Sequence, residues 1–122
     1  MHGVVTTSVF ARNAAKARLS EYEHLRIETF LSENPTAGDL IRGTGGARKI
    51  RFAAPGRGKS GGYRVITYFA AEDVPIFLLD IYSKGERVNL SQAERNELKR
   101  ILGRVADDYR QSVKAKTTRA VR

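Results

Sequence analysis

The chain has 122 residues, no cysteine and a formal net charge of +9. Its length suits one domain burying roughly two thirds of its unfolded surface, and the lack of thiols excludes disulfides and thiolate metal sites. The charge favours acidic proteins, nucleic acid or anionic membranes as partners. No apolar stretch approaches the ~18–20 residues of a membrane span, and residues 1–16 lack the continuous apolar core of a signal peptide, so a cytoplasmic protein without membrane attachment is expected.

Val4 to Val9 reads as a short Val/Thr-rich strand, and Phe10 to Ala17 as a first helix from its alanines and the Phe10/Ala14/Ala17 spacing. A second helix opens at Ser20, with Glu23 three residues on as a capping box. Tyr22, Leu25, Ile27, Phe30 and Leu31 are expected on one apolar face, and Asn34-Pro35 ends the helix. Three strands follow. Arg48–Phe52 alternates, with Lys49 and Arg51 on one side and Ile50 and Phe52 on the other. Residues 63–69 and 76–82 are β-branched and aromatic, and the short turn Ala71-Glu72-Asp73 makes them an antiparallel hairpin. A closing helix starts at Ser91, with Glu94 completing a second capping box and Leu98, Ile101, Leu102, Val105 and Tyr109 forming its stripe. The expected fold is α+β, a small antiparallel sheet with helices packed on one face in the order β-α-α-β-β-β-α. Residues 1–112 form the domain. Residues 113–122 are read as a basic, flexible tail, with fraying beyond about Ser112.

Between Arg42 and Arg64 lie seven cations, Arg42, Arg48, Lys49, Arg51, Arg57, Lys59 and Arg64, and no acidic residue. The same run holds seven of the eleven glycines, which let a backbone approach a ligand closely. The anion expected at this density of cations is a nucleic-acid backbone. Strand alternation sets Arg64 outward with Tyr68 and turns Tyr63 inward. GRGKS imitates a phosphate-binding loop, but Ala53 stands where its first glycine belongs, and the segment leads into a strand. No His/carboxylate cluster has metal-ligand spacing, His2 sits at a mobile end, and His24 lies on an amphipathic helix, so neither a metal nor a cofactor is expected. What remains is chemistry that cations and phenols perform. RNA is cut without metal when its own 2′-hydroxyl attacks, provided the protein orients that hydroxyl and neutralises charge on the pentacoordinate phosphate. Lys49, Arg51, Arg64, Tyr68, Tyr82 and Lys84 could converge for this on one face. Plainer roles compete: Tyr68 and Tyr82 as packed sheet residues, Arg64 paired with Asp80, Lys49 and Arg51 solvated.

GDLIRGTGGARKIRF, the loop GRGKSGG, then YRVITYF and FLLDIYSKGE resemble toxins of the HigB branch of the RelE/ParE superfamily, from bacterial toxin–antitoxin modules. The resemblance covers about Asn34 to Leu102. It implies a type II toxin that cleaves mRNA in the ribosomal A site without metal and inhibits translation. It also implies inhibition by a helix-turn-helix, HigA-like antitoxin, through which alone operator DNA would be bound. The superfamily's basic strand pair falls on Lys49 and Arg51, and its arginine after the Gly-aromatic step on Arg64. Where its relatives carry Lys-Arg after the last strand, this chain has Lys84-Gly85 with Arg87 two further on. It has no tyrosine at Val88-Asn89-Leu90, which leaves Tyr68, Tyr82 or Lys84 as substitutes. The expected catalytic set is therefore Lys49, Arg51, Arg64, Tyr82 and Lys84. Arg42, Arg48, Arg57, Lys59, Tyr68 and Arg87 are expected to contact mRNA or ribosomal RNA. A ParE-like gyrase poison of the same fold and an inactive basic RNA-binding protein are the alternatives.

Overall fold

The computed structural model describes residues 2–53, 62–83 and 90–121, with side chains through Lys114. Its elements are β1 (Val4–Thr6), α1 (Ser8–Lys16), α2 (Glu21–Glu33), β2 (Asp39–Leu40), β3 (Arg48–Ala53), β4 (Gly62–Tyr68), β5 (Ile76–Ser83) and α3 (Gln92–Val121). The α+β class is as expected. The five strands form one sheet in the order β1-β5-β4-β3-β2, antiparallel except where β1 runs parallel to β5.

Local signals explain the helix starts. Thr7 caps α1, its hydroxyl accepting from Phe10 N at 3.2 Å while donating to Leu78 O at 2.8 Å, which ties the helix to β5. Both capping boxes form as read, Ser20 with Glu23 and Ser91 with Glu94. β4 and β5 form the expected hairpin, with an irregularity between Ile66 and Thr67 that bends the ladder.

The sheet has two covered faces. Phe10, Ala14, Ile27 and Leu31 from α1 and α2 pack with Tyr63, Val65, Ile76, Leu78 and Ile81. Phe10 and Leu31 are fully buried, each contributing about 1.5–3 kcal/mol. Leu102, Leu98, Val105 and Tyr109 of α3 pack instead with Ile66, Phe77, Leu79 and Tyr82. Adjacent strand residues point to opposite faces, so the alternation of Val65 with Ile66 and of Phe77 with Leu78 assigns α3 to the side opposite α1 and α2. The expectation of all helices on one face thus holds for α1 and α2 only. Both strands are apolar at consecutive positions, as sheets buried on both sides are.

Two further details differ from the sequence reading. Tyr22 and Leu25 of α2 are exposed, because the helix buries its Ile27/Leu31 stripe against the sheet. His2 is anchored, its N–H donating to Ser32 O at 3.0 Å and its O accepting from Ser32 Oγ at 2.6 Å. Helix α3 runs from Gln92 to Val121. Arg110 fixes its middle to the β4–β5 turn through a two-pronged pair with Asp73, Nε–Oδ2 2.6 Å and Nη2–Oδ1 2.7 Å.

Candidate nucleic-acid interface

Strand register decides which cations meet. Arg51 of β3 stands directly opposite Arg64 of β4, and Arg64 opposite Tyr82 of β5. Directly paired residues share a face with Cβ atoms about 4.5–5.5 Å apart. Arg51, Arg64 and Tyr82 therefore form one row across three strands. Lys49 lies on the same face two residues along β3, opposite Ile66 and, on its other side, Asp39. The described α3 cluster covers Ile66, Phe77 and Leu79 and reaches Tyr82.

Two like charges placed directly opposite each other repel, at a cost on the order of 0.2–1 kcal/mol. Arg51 is exposed, and water dissipates part of that cost. Arg64 is half-buried, and its Nη1 is shut off from solvent with no hydrogen-bond partner. A buried guanidinium N–H left unmatched is costly, and an anion bridging it to Arg51 would satisfy both problems together. The alternative pairing of Arg64 with Asp80 is not made among the described residues. Asp80 is opposite Ile66, and its Oδ1 accepts from Asn13 Nδ2 at 2.6 Å and Ile81 N at 2.8 Å.

Other expected site residues lie elsewhere. Tyr63 packs inward, 3 % exposed, and Arg64 faces the other way with Tyr68, as read from the sequence. Tyr68, however, is four residues along β4 from Arg64, about 13 Å at the usual strand rise, and packs beside Gly46. Arg48 alternates to the face of Ile50 and donates from Nη1 to Gly38 O at 3.1 Å, so it is not brought to the Arg51–Arg64 row. Tyr82 is 2 % exposed at the margin of the apolar cluster under α3. Arg57, Lys59, Lys84 and Arg87 lie outside the described residues. Among the described residues no three His, Asp or Glu side chains gather as metal ligands would, and no helix is long and apolar enough to cross a membrane.

The first glycine run has an internal purpose. Thr44 is fully buried, donating from Oγ1 to Ile41 O at 2.7 Å and accepting from Ala47 N at 3.0 Å. Gly43, Gly45 and Gly46 all have positive φ, which glycine adopts without the penalty of a Cβ. An added Cβ would lie 3.9 Å from Arg95 Cδ at Gly43 and 3.7 Å from Lys99 Cγ at Gly45. The turn that these positive φ angles shape lies against α3 at ordinary contact distance, and its tightest approach is to Tyr68, 3.2 Å from an added Cβ at Gly46. The turn brings Arg95, which the sequence reading did not single out, beside Arg42 and Lys49 on the basic face. On a helix rich in alternating charges, nothing in the local pattern separates Arg95 from a solvated residue.

On the opposite side of β3, a groove of about 580 Å³ runs between α2 and the strand, lined by Tyr22, Leu25, Phe30, Ile50 and Phe52 among others. Phe30 and Phe52 meet edge-to-face at 5.6 Å. This apolar groove and the basic row flank the same strand.

The model of a protein family described as the RelE toxin of the RelE/RelB toxin–antitoxin system matches residues 3–121. That span takes in the sheet, the paired arginines and all three helices, and on it the chain belongs to the RelE toxin family.

Proposed function

We propose that this toxin is a ribosome-dependent, metal-independent mRNA endoribonuclease of the HigB type, acting in the cytoplasm on mRNA in the ribosomal A site. The observation that carries the reading is the Arg51–Arg64 pair, two cations in direct register with a buried, unmatched Nη1 on Arg64. Membership of a family whose toxins are generally endoribonucleases supports it.

In this reading Lys49 and Arg51 hold the mRNA backbone and orient the 2′-hydroxyl of the nucleotide before the cut. That oxygen attacks the adjacent phosphorus, forming the O2′–P bond as the P–O5′ bond breaks. The products are a 2′,3′-cyclic phosphate and a free 5′-hydroxyl. Arg64 donates to the non-bridging oxygens, where negative charge grows in the transition state. Its burial makes that donation stronger than it would be in water. The proton lost from the 2′-hydroxyl and the one gained by O5′ pass through groups at the end of β5. Tyr82 stands there opposite Arg64, and Lys84 follows two residues later. Arg42, and Arg57, Lys59 and Arg87 of the glycine-basic loop and the segment after β5, add contacts to mRNA and ribosomal RNA. The partner is a helix-turn-helix antitoxin of the HigA type, and operator DNA is bound through it.

Mapping new 5′ ends on a defined mRNA, with and without ribosomes, tests this directly. Cuts that require ribosomes and carry 5′-hydroxyl ends are expected. Intact mRNA together with trapped gyrase–DNA complexes would transfer the assignment to a ParE-like poison.

A further inference from the structure

We infer that Arg95, Arg42 and Lys49 form a second phosphate-binding subsite, one nucleotide step along the RNA from the Arg51–Arg64 row. The inference rests on the nuclease reading and adds to it a residue of α3.

A cleft of about 250 Å³ lies between the β2–β3 turn and the start of α3, with Arg42, Lys49, Arg95 and Asp39 among its lining residues. Among its described lining residues three cations stand against one carboxylate. The Nε of Arg95 is buried and has no hydrogen-bond partner. The arginine stem runs beside the turn, where an added Cβ on Gly43 would sit 3.9 Å from Arg95 Cδ, an ordinary contact distance. A buried, unmatched N–H beside a basic cleft is the arrangement an anion completes.

Continuity with the first site selects a nucleic-acid phosphate over a free anion. Lys49 lines the cleft and shares its sheet face with Arg51, two residues away, or about 7 Å along the strand. That distance is of the order of the step between neighbouring phosphates in an extended single strand. A strand whose scissile phosphate lies at Arg51–Arg64 therefore runs its neighbouring phosphate past Lys49 into the cleft. There Arg95 donates from within the protein, and exposed Arg42 closes over the phosphate from outside. An acidic protein segment would present carboxylates to the same cations, and the test separates it from RNA.

The test uses a short, labelled, uniformly 2′-O-methylated RNA, which binds but cannot be cut, with affinity followed by anisotropy against salt. Each single-strand phosphate contact contributes about 0.7 to the slope of log affinity on log salt. Arg95→Gln and Arg42→Gln are each expected to reduce the slope by roughly 0.7, so that the affinity deficit at low salt shrinks about fivefold over a tenfold rise in salt. Thermal melts establish that Arg95→Gln is folded. Because Arg42 is exposed, its variant decides the matter if Arg95→Gln is not. Unchanged slopes in the folded variants overturn the subsite, as does failure of the wild-type chain to bind this RNA. In either case ribosome-dependent cutting, scored separately on wild type and Arg64→Ala, determines whether the nuclease reading survives. Loss of binding to an acidic peptide without loss of binding to the RNA also overturns the proposal and assigns the cleft to a protein partner.

Discussion

Replacing Arg64 by methionine should make the protein more stable while abolishing its activity. Methionine keeps an unbranched apolar stem and removes the guanidinium. The buried Nη1 has no hydrogen-bond partner, and leaving such a donor unmatched costs about 1–3 kcal/mol. Removing the charge also relieves the direct repulsion from Arg51, on the order of 0.2–1 kcal/mol. Some of the arginine stem's packing is lost in exchange, so a net gain of about 1–2 kcal/mol is expected. With an unfolding entropy of about 2.1 cal/mol/K per residue over 122 residues, that gain raises Tm by about 4–8 °C. Calorimetry at low ionic strength is the assay. Added sulfate should stabilise wild type more than Arg64→Met, because only the wild-type pair offers a seat for the anion. A Tm lowered by the substitution would refute the reasoning, for it would mean that the guanidinium stabilises the free protein.

The Asp73–Arg110 pair gives a pH prediction. The hydrogen bonds from Arg110 hold the Asp73 carboxyl below its ordinary value of 3.8. A depressed folded-state pKa contributes stability above the unfolded value and loses it as pH falls from there through the folded value. Arg110→Gln should therefore narrow the difference in urea midpoint between neutral and acid solution. The effect should be small and sensitive to salt, since both groups face water; an unchanged difference at low salt would remove the pair from the acid response. Gly62, with φ of +155°, would place an added Cβ 2.6 Å from Phe52 O, so Gly62→Ala should cost on the order of 1–3 kcal/mol in denaturant titration. A near-neutral result would mean that β4 can shift freely against β3 at that end. Ser91→Ala removes one side of the α3 capping box and should lower stability by about 1 kcal/mol, read the same way.

Where local chemistry decides structure, the sequence was readable. Both capping boxes, the alternation of Lys49 and Arg51 against Ile50 and Phe52, and the β4–β5 hairpin follow from spacings within a few residues. What the sequence does not display depends on distant contacts. β2 is two residues long and carries no periodicity, and the parallel pairing of β1 with β5 joins residues about 72 apart in the chain. The side of the sheet that α3 takes is settled by the second apolar face of β4 and β5, visible in the sequence only as consecutive apolar residues. The GTGG run shows the limit for the site. Its glycines are readable as a place where the backbone takes special conformations, but their positive φ and the packing of that turn beside α3 require the folded chain. Arg64 and Arg51 were identifiable as cations on adjacent strands. Their direct register and the buried Nη1 required the folded chain.

The central claim is that Arg64 stabilises charge on the phosphate being cut. The measurement that tests it most directly is the single-turnover rate of mRNA cleavage on programmed ribosomes, for wild type, Arg64→Ala and Arg64→Lys. Loss of a donor aimed at transition-state charge costs about 10²–10³ in rate. A fall of that size is predicted for Arg64→Ala, with partial recovery in Arg64→Lys, which keeps the charge but not the fork. Cleavage by Arg64→Ala at the wild-type rate would contradict the account.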